Sequence, residues 1–205
     1  MIPVAVTQRV EVTRYGERRD CLDQRWTDWM IHCGLLPVPV PNDAAAAAAL
    51  CDLAQAKGLL LTGGNDLASL GGDAPERDAT ERRLLTRFEA SGLPVIGVCR
   101  GMQVIQARFG VPLYRIEGHV TAVAQVRLAD GATRRVNSYH RFGTLETVPE
   151  LEVLVRAADG TVKAIRHTSR PIFGMMWHPE RLDPFPERDA EQFRRCFGRV
   201  AACAA

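Results

Sequence analysis

The chain has 205 residues, of which 46% are hydrophobic and 24% are charged, and its formal net charge is only +2. This composition is that of one globular domain with a sizeable core, and the small net charge argues against nucleic-acid or membrane binding driven by bulk charge. No apolar run approaches the roughly 20 residues of a membrane span, and residues 1–6 lack the basic region of a signal peptide. We therefore expect a single domain over residues 1–205 in the cytoplasm.

In the first half of the chain, short apolar strands alternate with stretches of helix length. This alternation predicts βαβ units and a parallel sheet covered by helices on both faces. In chain order, the predicted elements are a strand at 4–6, a helix at 22–32 closed by Gly34, a strand at 36–40, an alanine-rich helix from the cap at 42–43 to about 56, a strand at 59–61, a helix near 80–90, a strand at 95–98 and a helix near 102–109.

After Gly110 the pattern changes to strands joined by Asp-Gly turns at 130–131 and 159–160, which favours antiparallel pairing. The predicted strands lie at 120–128, 134–136, 152–157, 162–166 and 172–177, and a final helix covers roughly 187–201. We therefore predict an α/β fold in which a mostly parallel central sheet is flanked by helices and carries a small antiparallel extension.

The six cysteines are scattered, without a C-x-x-C pair and without a spacing that would bind zinc together with the five histidines. We expect no metal and no cofactor, and in a reducing compartment most of the thiols should be buried or incidental. Only Cys99 lies in a sequence that indicates chemistry. The cysteines are Cys21, Cys33, Cys51, Cys99, Cys196 and Cys203.

The segment 97–101 (Gly-Val-Cys-Arg-Gly) follows a predicted strand and opens a predicted helix. A nucleophile between two such glycines is typical of a sharp strand-to-helix turn that lifts the side chain above the sheet. The helix N-terminus favours the thiolate of Cys99, and the N–H of Arg100 is placed to help hold an oxyanion. Taken alone, the segment has an alternative interpretation, a buried cysteine between glycines that relieve crowding.

The segment 177–180 (Trp-His-Pro-Glu) ends the last predicted strand. Proline favours an extended His178, and extended residues two apart point to the same side, so Glu180 can meet one ring nitrogen while the other faces the thiol. An isolated W-H-P-E is better explained by a surface histidine at a strand end. Combined with the Cys99 segment, it predicts a triad of nucleophile, base and orienting carboxylate, formed by Cys99, His178 and Glu180.

Four segments in this order resemble the class I glutamine amidotransferase-like superfamily, and within it the γ-glutamyl hydrolase and γ-glutamyl-γ-aminobutyrate hydrolase branch. They are 62–65 (TGGN), 97–103 (GVCRGMQ), 136–140 (VNSYH) and 176–180 (MWHPE). The resemblance covers nearly the whole chain. It implies the flavodoxin-like fold of that superfamily, the same triad, and an oxyanion hole made by the N–H groups of Gly64 and Arg100.

The resemblance also implies which residues hold the glutamyl group. They follow the nucleophile or lie in the third segment, namely Gln103, Asn137, Ser138, Tyr139 and His140. The alternative for Gln103 is a solvated residue in the first turn of a helix, and the alternative for Tyr139 is an aromatic side chain packed in a loop.

The stretch 15–26 departs from the γ-aminobutyrate hydrolases. Together with 174–178, it resembles the γ-glutamyl-CDP-amidate hydrolases of capsular phosphoramidate biosynthesis. On that resemblance, Arg18, Arg19 and Arg25 near a strand-to-helix loop would hold the phosphates of a nucleotide leaving group. The alternative is a charged, solvated loop and helix face with local ion pairs.

The expected activity is hydrolysis of a γ-glutamyl amide through a glutamyl thioester, with γ-glutamyl-CDP-amidate as substrate and L-glutamate and cytidine diphosphoramidate as products. The alternatives are a glutaminase subunit that feeds ammonia to a separate synthase, a γ-glutamyl-γ-aminobutyrate-type hydrolase, and an idle binding scaffold, against which the intact triad argues. The expected partner is a small γ-glutamyl molecule, with or without a nucleotide. The sequence leaves open a homo-oligomer and a partner synthase.

Overall fold

The computed structural model describes residues 1–202, with side chains described to residue 198. The first part of the chain alternates strands and helices, apart from an early hairpin. Its elements are β1 (Ile2–Val6), β2 (Arg9–Val12), β3 (Arg18–Cys21), α1 (Gln24–His32), β4 (Leu35–Pro39), α2 (Ala44–Leu53), β5 (Leu59–Leu61), a 3-10 turn (Ala68–Leu70), α3 (Pro75–Ala90), β6 (Val95–Val98) and α4 (Arg100–Arg108).

The second part of the chain is mainly strands, followed by one long helix. Its elements are β7 (Tyr114–Arg115), β8 (Val120–Leu128), β9 (Thr133–Tyr139), β10 (Phe142–Gly143), β11 (Leu151–Ala157), β12 (Val162–His167), β13 (Ile172–Met175), a 3-10 turn (Pro179–Arg181) and α5 (Glu187–Ala202).

The main sheet has nine strands in the order β4-β1-β5-β6-β13-β12-β11-β8-β9. The first five strands of that order are parallel to one another, and the other four join them by antiparallel pairing. The predicted fold class, a mostly parallel central sheet with an antiparallel extension, is confirmed. The parallel strands β5, β6 and β13 are neighbours, so the segments that follow them meet at one edge of the sheet, where ligands bind in α/β proteins.

Helices cover both faces of the parallel part of the sheet. Helices α1 and α5 pack on one face, and α2, α3 and α4 pack on the other. The side chains of β1 alternate between the two cores, with Val4 and Val6 in the first and Ala5 in the second. All three are fully buried, which explains why the strand is continuously apolar rather than alternating.

Several element boundaries differ from the prediction. Helix α3 begins at Pro75 instead of near residue 80, because proline in the first turn and the acidic residues Glu76 and Asp78 start a helix ahead of its buried apolar face. Helix α2 ends at Leu53 instead of near 56, and β13 ends at Met175 instead of at 177. Apolar periodicity identifies the part of a helix that packs on the core, so it does not predict the residues at which the helix begins and ends.

The hairpin formed by β2 and β3 is absent from the prediction. Its strands pair antiparallel, with Arg9 opposite Cys21, and most of its residues are exposed or charged, so they lack the apolar alternation that marks a strand. The hairpin is fixed to the β5–α3 loop by Asn65, whose side-chain oxygen accepts from the Val10 N–H at 2.9 Å and whose amide donates to the Val10 carbonyl at 2.9 Å. This contact brings Arg9 to the edge of the sheet where the parallel strands end.

Within residues 1–202, no helix combines the length and the apolar character needed to cross a membrane. Cys33, Cys51, Cys99 and Cys196 are buried, Cys21 is partly exposed, and Cys203 lies outside the described residues. Burial raises the pKa of Cys33 to about 12, and it also raises the pKa of Cys51. These two thiols are therefore of the unreactive kind that the sequence predicts for most of the cysteines.

Candidate active site

Cys99 occupies a sharp turn between β6 and α4. Its φ is 53° and its ψ is −108°, a conformation that is strained for a residue with a side chain and that recurs at functional sites. A Cβ atom on Gly101 would overlap the carbonyl of Leu61, and one on Gly97 would overlap the backbone of Gly101. Both glycines are therefore required by close backbone approach, as predicted, and the turn holds the thiol above the end of the sheet.

His178 and Glu180 meet Cys99 at this edge. The His178 Nδ1 lies 2.7 Å from Oε1 of Glu180, and both side chains are buried. A Cβ atom on Gly63 would lie 3.4 Å from Nε2 of His178 and 3.5 Å from Cβ of Cys99, so this ring nitrogen and the Cys99 side chain lie close together. Burial lowers the pKa of His178, but attraction to Cys99 and Glu180 and the hydrogen bond to Glu180 outweigh it and raise the pKa to about 9. The structure thus brings together the three residues of the predicted triad.

Two side chains hold the backbone around the triad. The Asn137 side chain accepts from the His178 N–H at 2.7 Å and donates to the His178 carbonyl at 2.8 Å. Arg25 donates to the carbonyl of Glu180 at 3.0 Å and to that of Leu182 at 2.6 Å. These hydrogen bonds fix the backbone of the triad segment, and the contacts with substrate that the sequence predicts for both residues stay predictions.

Arg77 shapes the loop that carries Gly64. It is fully buried and donates to the carbonyls of Thr62 at 2.8 Å, Gly63 at 3.0 Å and Gly64 at 2.5 Å. In a trans peptide the carbonyl and the following N–H point in opposite directions, so a Gly63 carbonyl held by Arg77 sends the Gly64 N–H the other way. A Cβ atom on Gly63 would lie 2.6 Å from Cε1 of His178, which places this loop directly against the triad.

A buried ionic chain joins this loop to the nucleophile helix. Glu81 is fully buried, and it accepts from Nε of Arg77 at 2.9 Å and pairs with Arg100. Arg100 also pairs with Asp78. Burial would raise the pKa of Glu81, but the two arginines lower it. Arg77, Glu81 and Arg100 thereby connect the two segments that carry the predicted oxyanion donors. The N–H of Arg100, the first residue of α4, has no acceptor within the helix.

Removing the central charge of this chain should destabilise the protein strongly. Glu81→Gln keeps the shape of the side chain but removes the negative charge that neutralises two buried guanidinium groups. Breaking a buried ion pair in this way lowers the free energy of unfolding by ~3–5 kcal/mol. Glu152→Gln is the control, because its pair with Arg166 is about half exposed and such pairs contribute ~0–1 kcal/mol. Urea unfolding measures the free energy of unfolding of both variants. Equal losses would show that the buried ionic chain contributes no more to stability than the exposed pair.

A cleft opens beside Cys99. It is lined on one side by Gln103, Tyr139, His140 and Arg141 and on the other by residues of the β5–α3 loop. The Gln103 side chain donates to the Phe142 carbonyl at 2.9 Å, while Tyr139 is 39% exposed at the entrance. The structure therefore brings Gln103, Tyr139 and His140 to the nucleophile, although their predicted contacts with a glutamyl group stay predictions.

The side chain of Ser138 lies beneath the cleft floor. It is fully buried, where its hydroxyl donates to the His119 carbonyl at 2.8 Å and accepts from Nζ of Lys163 at 2.9 Å. Lys163 also contacts Nε2 of His140 at 2.6 Å. Burial lowers the pKa of Lys163 to about 8, and burial together with the Lys163 charge lowers the pKa of His140 to about 3, so this histidine is neutral. No sequence motif marks Lys163.

Arg18 and Arg19 lie on the hairpin, away from the triad. Arg18 pairs with Glu76 and donates to the Asp73 carbonyl at 2.8 Å, which places it at the outer rim of the cleft. Arg19 pairs with Glu17, and both arginine side chains are largely exposed, at 45% and 61%. The structure thus gives both residues local ion pairs, which is the alternative interpretation of this stretch, and among the described contacts neither touches a triad residue.

Several known proteins resemble this chain in sequence. The family model of the class I glutamine amidotransferases matches residues 24–189. The chain is 28% identical to the γ-glutamyl-CDP-amidate hydrolase of Campylobacter jejuni over 87% of this chain and 90% of that protein. It is 26% identical to the γ-glutamyl-γ-aminobutyrate hydrolase of Escherichia coli O157:H7, over 80% of each chain. It is 30% identical to one subunit of the glutamine-hydrolysing GMP synthase of Methanothrix thermoacetophila, over 61% of this chain and 67% of that one.

A solved structure shares the fold. It is a protein from Thermoplasma acidophilum described as a GMP synthase subunit, which superposes with a TM-score of 0.74 over 100% of this chain and 96% of its own. At 18% sequence identity, this likeness concerns the arrangement of strands and helices alone.

Proposed function

Because the chain belongs to the class I glutamine amidotransferase family, we propose that it hydrolyses a γ-glutamyl amide with Cys99 as nucleophile, His178 as base and acid, and Glu180 as the orienter of the histidine. The observation that carries this proposal is the buried contact of these three side chains at the ends of two neighbouring parallel strands. Relatives that match most of the chain are γ-glutamyl amide hydrolases.

In the first step, the Cys99 thiolate attacks the γ-carbonyl carbon of the substrate. The carbonyl oxygen becomes an oxyanion, which the N–H groups of Gly64 and Arg100 stabilise by hydrogen bonds. The tetrahedral intermediate then collapses, the carbon–nitrogen bond breaks, and the nitrogen takes the proton held by His178. The products of this step are a glutamyl thioester on Cys99 and the free amine or amidate.

In the second step, water replaces the departed nitrogen group. His178, now neutral, accepts a proton from the water as its oxygen attacks the thioester carbon, and the same two N–H groups stabilise the second oxyanion. The carbon–sulfur bond breaks, L-glutamate leaves, and the thiolate and the imidazolium are restored. Glu180 accepts from Nδ1 of His178 and keeps that proton in place throughout.

The substrate we propose is γ-glutamyl-CDP-amidate, which would yield cytidine diphosphoramidate and glutamate. The support is the extended match to the relative that bears this activity in its name, which covers 87% of this chain. The alternative substrate for the same reaction is γ-glutamyl-γ-aminobutyrate, because a relative named for that activity matches 80% of the chain.

A glutaminase subunit that supplies ammonia to a separate synthase is the second candidate. It is favoured by the likeness to a GMP synthase subunit in both sequence and fold. The two candidates differ in the substrate that the isolated protein consumes. A glutaminase subunit would hydrolyse free glutamine, especially in the presence of its synthase, whereas a stand-alone hydrolase would prefer a γ-glutamyl amide with a larger leaving group.

The deciding experiment measures glutamate release by the purified protein from three substrates: free glutamine, γ-glutamyl-γ-aminobutyrate and γ-glutamyl-CDP-amidate. We expect the highest kcat/KM for the nucleotide substrate and the lowest for glutamine. Preference for glutamine would instead favour the glutaminase subunit. Lack of glutamate release from all three would contradict the proposed hydrolase.

The pH dependence of this activity should reflect His178. Its pKa lies above the ordinary value, at about 9, so the ring keeps its proton at neutral pH and loses it as the pH rises through about 9. We expect kcat/KM to fall over that range, because the proton for the leaving nitrogen is lost. Glu180→Gln should move the fall to lower pH, since the carboxylate helps to raise the pKa. A profile with the same alkaline limb in both proteins would contradict this assignment.

The same shift links pH to stability. A pKa that is higher in the folded protein than its ordinary value of 6.5 favours folding at a pH below that value, and the contribution disappears as the pH rises through about 9. Melting curves recorded at each pH at which activity is compared therefore separate loss of the catalytic proton from loss of folded protein.

A further inference from the structure

A second, smaller cavity lies beside the triad. The cleft described above contains Cys99, whereas this cavity is lined by His178 together with Arg9 and Arg181. Gly64 borders both spaces. The cavity has a volume of about 20 Å³, which is room for about one water molecule. A substrate attached to Cys99 through its glutamyl group would therefore fill the cleft and leave its departing group at the mouth of this cavity, where the side chains of Arg9 and Arg181 are partly exposed.

Arg9 reaches this cavity from the hairpin strand β2. Its side chain packs directly on the loop of the predicted oxyanion hole, since a Cβ atom on Gly64 would lie 3.0 Å from Cδ of Arg9. Its charge is paired with Glu11, at 2.5 Å, and the two side chains are 42% and 50% exposed. The Nε of Arg9 is buried and has no hydrogen-bond partner among the described residues. An anion at the mouth of the cavity can replace Glu11 in this half-exposed pair at little cost in free energy.

Arg181 reaches the cavity from the turn that follows the triad carboxylate. Its guanidinium lies 5.3 Å from the ring centroid of Tyr139, and its Nε is 3.5 Å from Oε1 of Glu180, a long contact for an ion pair. The side chain is 37% exposed, and within residues 1–202 it makes no hydrogen bond of normal length. Its terminal N–H groups therefore remain available to a ligand.

We propose that Arg9 and Arg181 bind a phosphoryl group attached to the nitrogen of the leaving group. This inference rests on the proposed hydrolase, in which His178 protonates that nitrogen. In a γ-glutamyl phosphoramidate the nitrogen is bonded directly to phosphorus, so the phosphoryl oxygens lie close to His178, at the mouth of the cavity that these two arginines line. The guanidinium fork matches the geometry of phosphoryl oxygens and forms charge-assisted hydrogen bonds with them.

The carboxylates at this cavity leave the arginines available. Asp23 lines the cavity, but its carboxylate accepts from the backbone N–H of Arg25 at 3.0 Å as the cap of α1. Glu11 meets Arg9 in a half-exposed pair, which an incoming anion can replace. Arg18 and Arg19 are not among the residues that line this cavity, and Arg25 donates to two backbone carbonyls. In this proposal Arg9 and Arg181 therefore take the role that the resemblance assigns to the stretch 15–26.

The test compares two substrates in five proteins: the parent, three alanine variants and one lysine variant. We would measure kcat/KM for γ-glutamyl-CDP-amidate and for γ-glutamyl-γ-aminobutyrate, which lacks phosphate, in the parent, Arg9→Ala, Arg181→Ala and the control Arg14→Ala. Arg14 is in the turn of the same hairpin, where its guanidinium contacts the exposed Tyr15 side chain. The ratio of the two kcat/KM values should fall about tenfold or more in the Arg9 and Arg181 variants and stay unchanged in the control. Arg9→Lys should recover part of the ratio because the charge is kept.

Equal losses with both substrates would overturn the phosphoryl contact and leave the hydrolase standing. A second measurement separates the two proposals. Binding of cytidine diphosphate to Cys99→Ala, measured by calorimetry, needs no turnover, and adding Arg9→Ala should weaken it about tenfold or more. Unchanged affinity would overturn the inference, whereas failure of the parent to release glutamate from any amide would overturn the proposed function alone.

Discussion

Cys99→Ala and Cys99→Ser are expected to reduce glutamate release by roughly 10⁴-fold or more, because no thioester forms without the thiolate. Serine keeps the shape of the side chain but ionises far less readily, so it should fail as well. The fold should persist, since the turn at Cys99 is held by its backbone and by the flanking glycines. Initial rates together with melting curves measure both effects.

The control for this change is Cys51→Ala, which removes a buried thiol on the far helix α2. We expect it to retain activity per folded molecule. Iodoacetamide should inactivate the parent by labelling Cys99 first, because burial raises the pKa of Cys33 and Cys51 and keeps those thiols protonated. Full activity in the alanine variant of Cys99 would remove the basis of the proposed function.

His178→Ala is expected to be nearly as damaging as the loss of Cys99, whereas Glu180→Gln should leave measurable activity. The histidine supplies and takes the proton in both steps, so its removal costs roughly 10⁴-fold or more. Glutamine at 180 can still accept from Nδ1 of His178 but lacks the charge that raises the pKa of the ring. Single-turnover rates separate these two contributions from product release.

The control is His167→Ala, a histidine outside the site whose ring accepts from the backbone N–H groups of Ser169 and Arg170. It should lower stability without lowering the rate per folded molecule. If Glu180→Gln were more damaging than His178→Ala, the roles of base and orienter would have to be exchanged. If the two changes and the control were equally harmful, the losses would reflect folding rather than catalysis.

The features that depend on local backbone geometry could be predicted from the amino-acid sequence. Apolar strands alternating with helices indicate a parallel sheet, and a nucleophile between glycines at a strand end indicates a sharp turn, which the φ of 53° at Cys99 bears out. His178 and Glu180 are two residues apart, so their contact also follows from local geometry. These signals are short in range and can be interpreted without knowing how the chain folds back on itself.

The long-range hydrogen bonds around the triad could not be predicted from the sequence and are visible only in the folded chain. Asn137 holds the His178 backbone across 41 residues of sequence, and Arg25 holds the Glu180 carbonyl across 155. Arg77 holds the Gly64 carbonyl at hydrogen-bond distance, although it lies outside the helix that the sequence predicts. Arginine and asparagine side chains can form several hydrogen bonds, and their partners are the groups that lie near them in space. The periodicity of the sequence does not predict which groups these are. The available guanidinium groups beside His178 can therefore be recognised only once the partners of the other arginines are known.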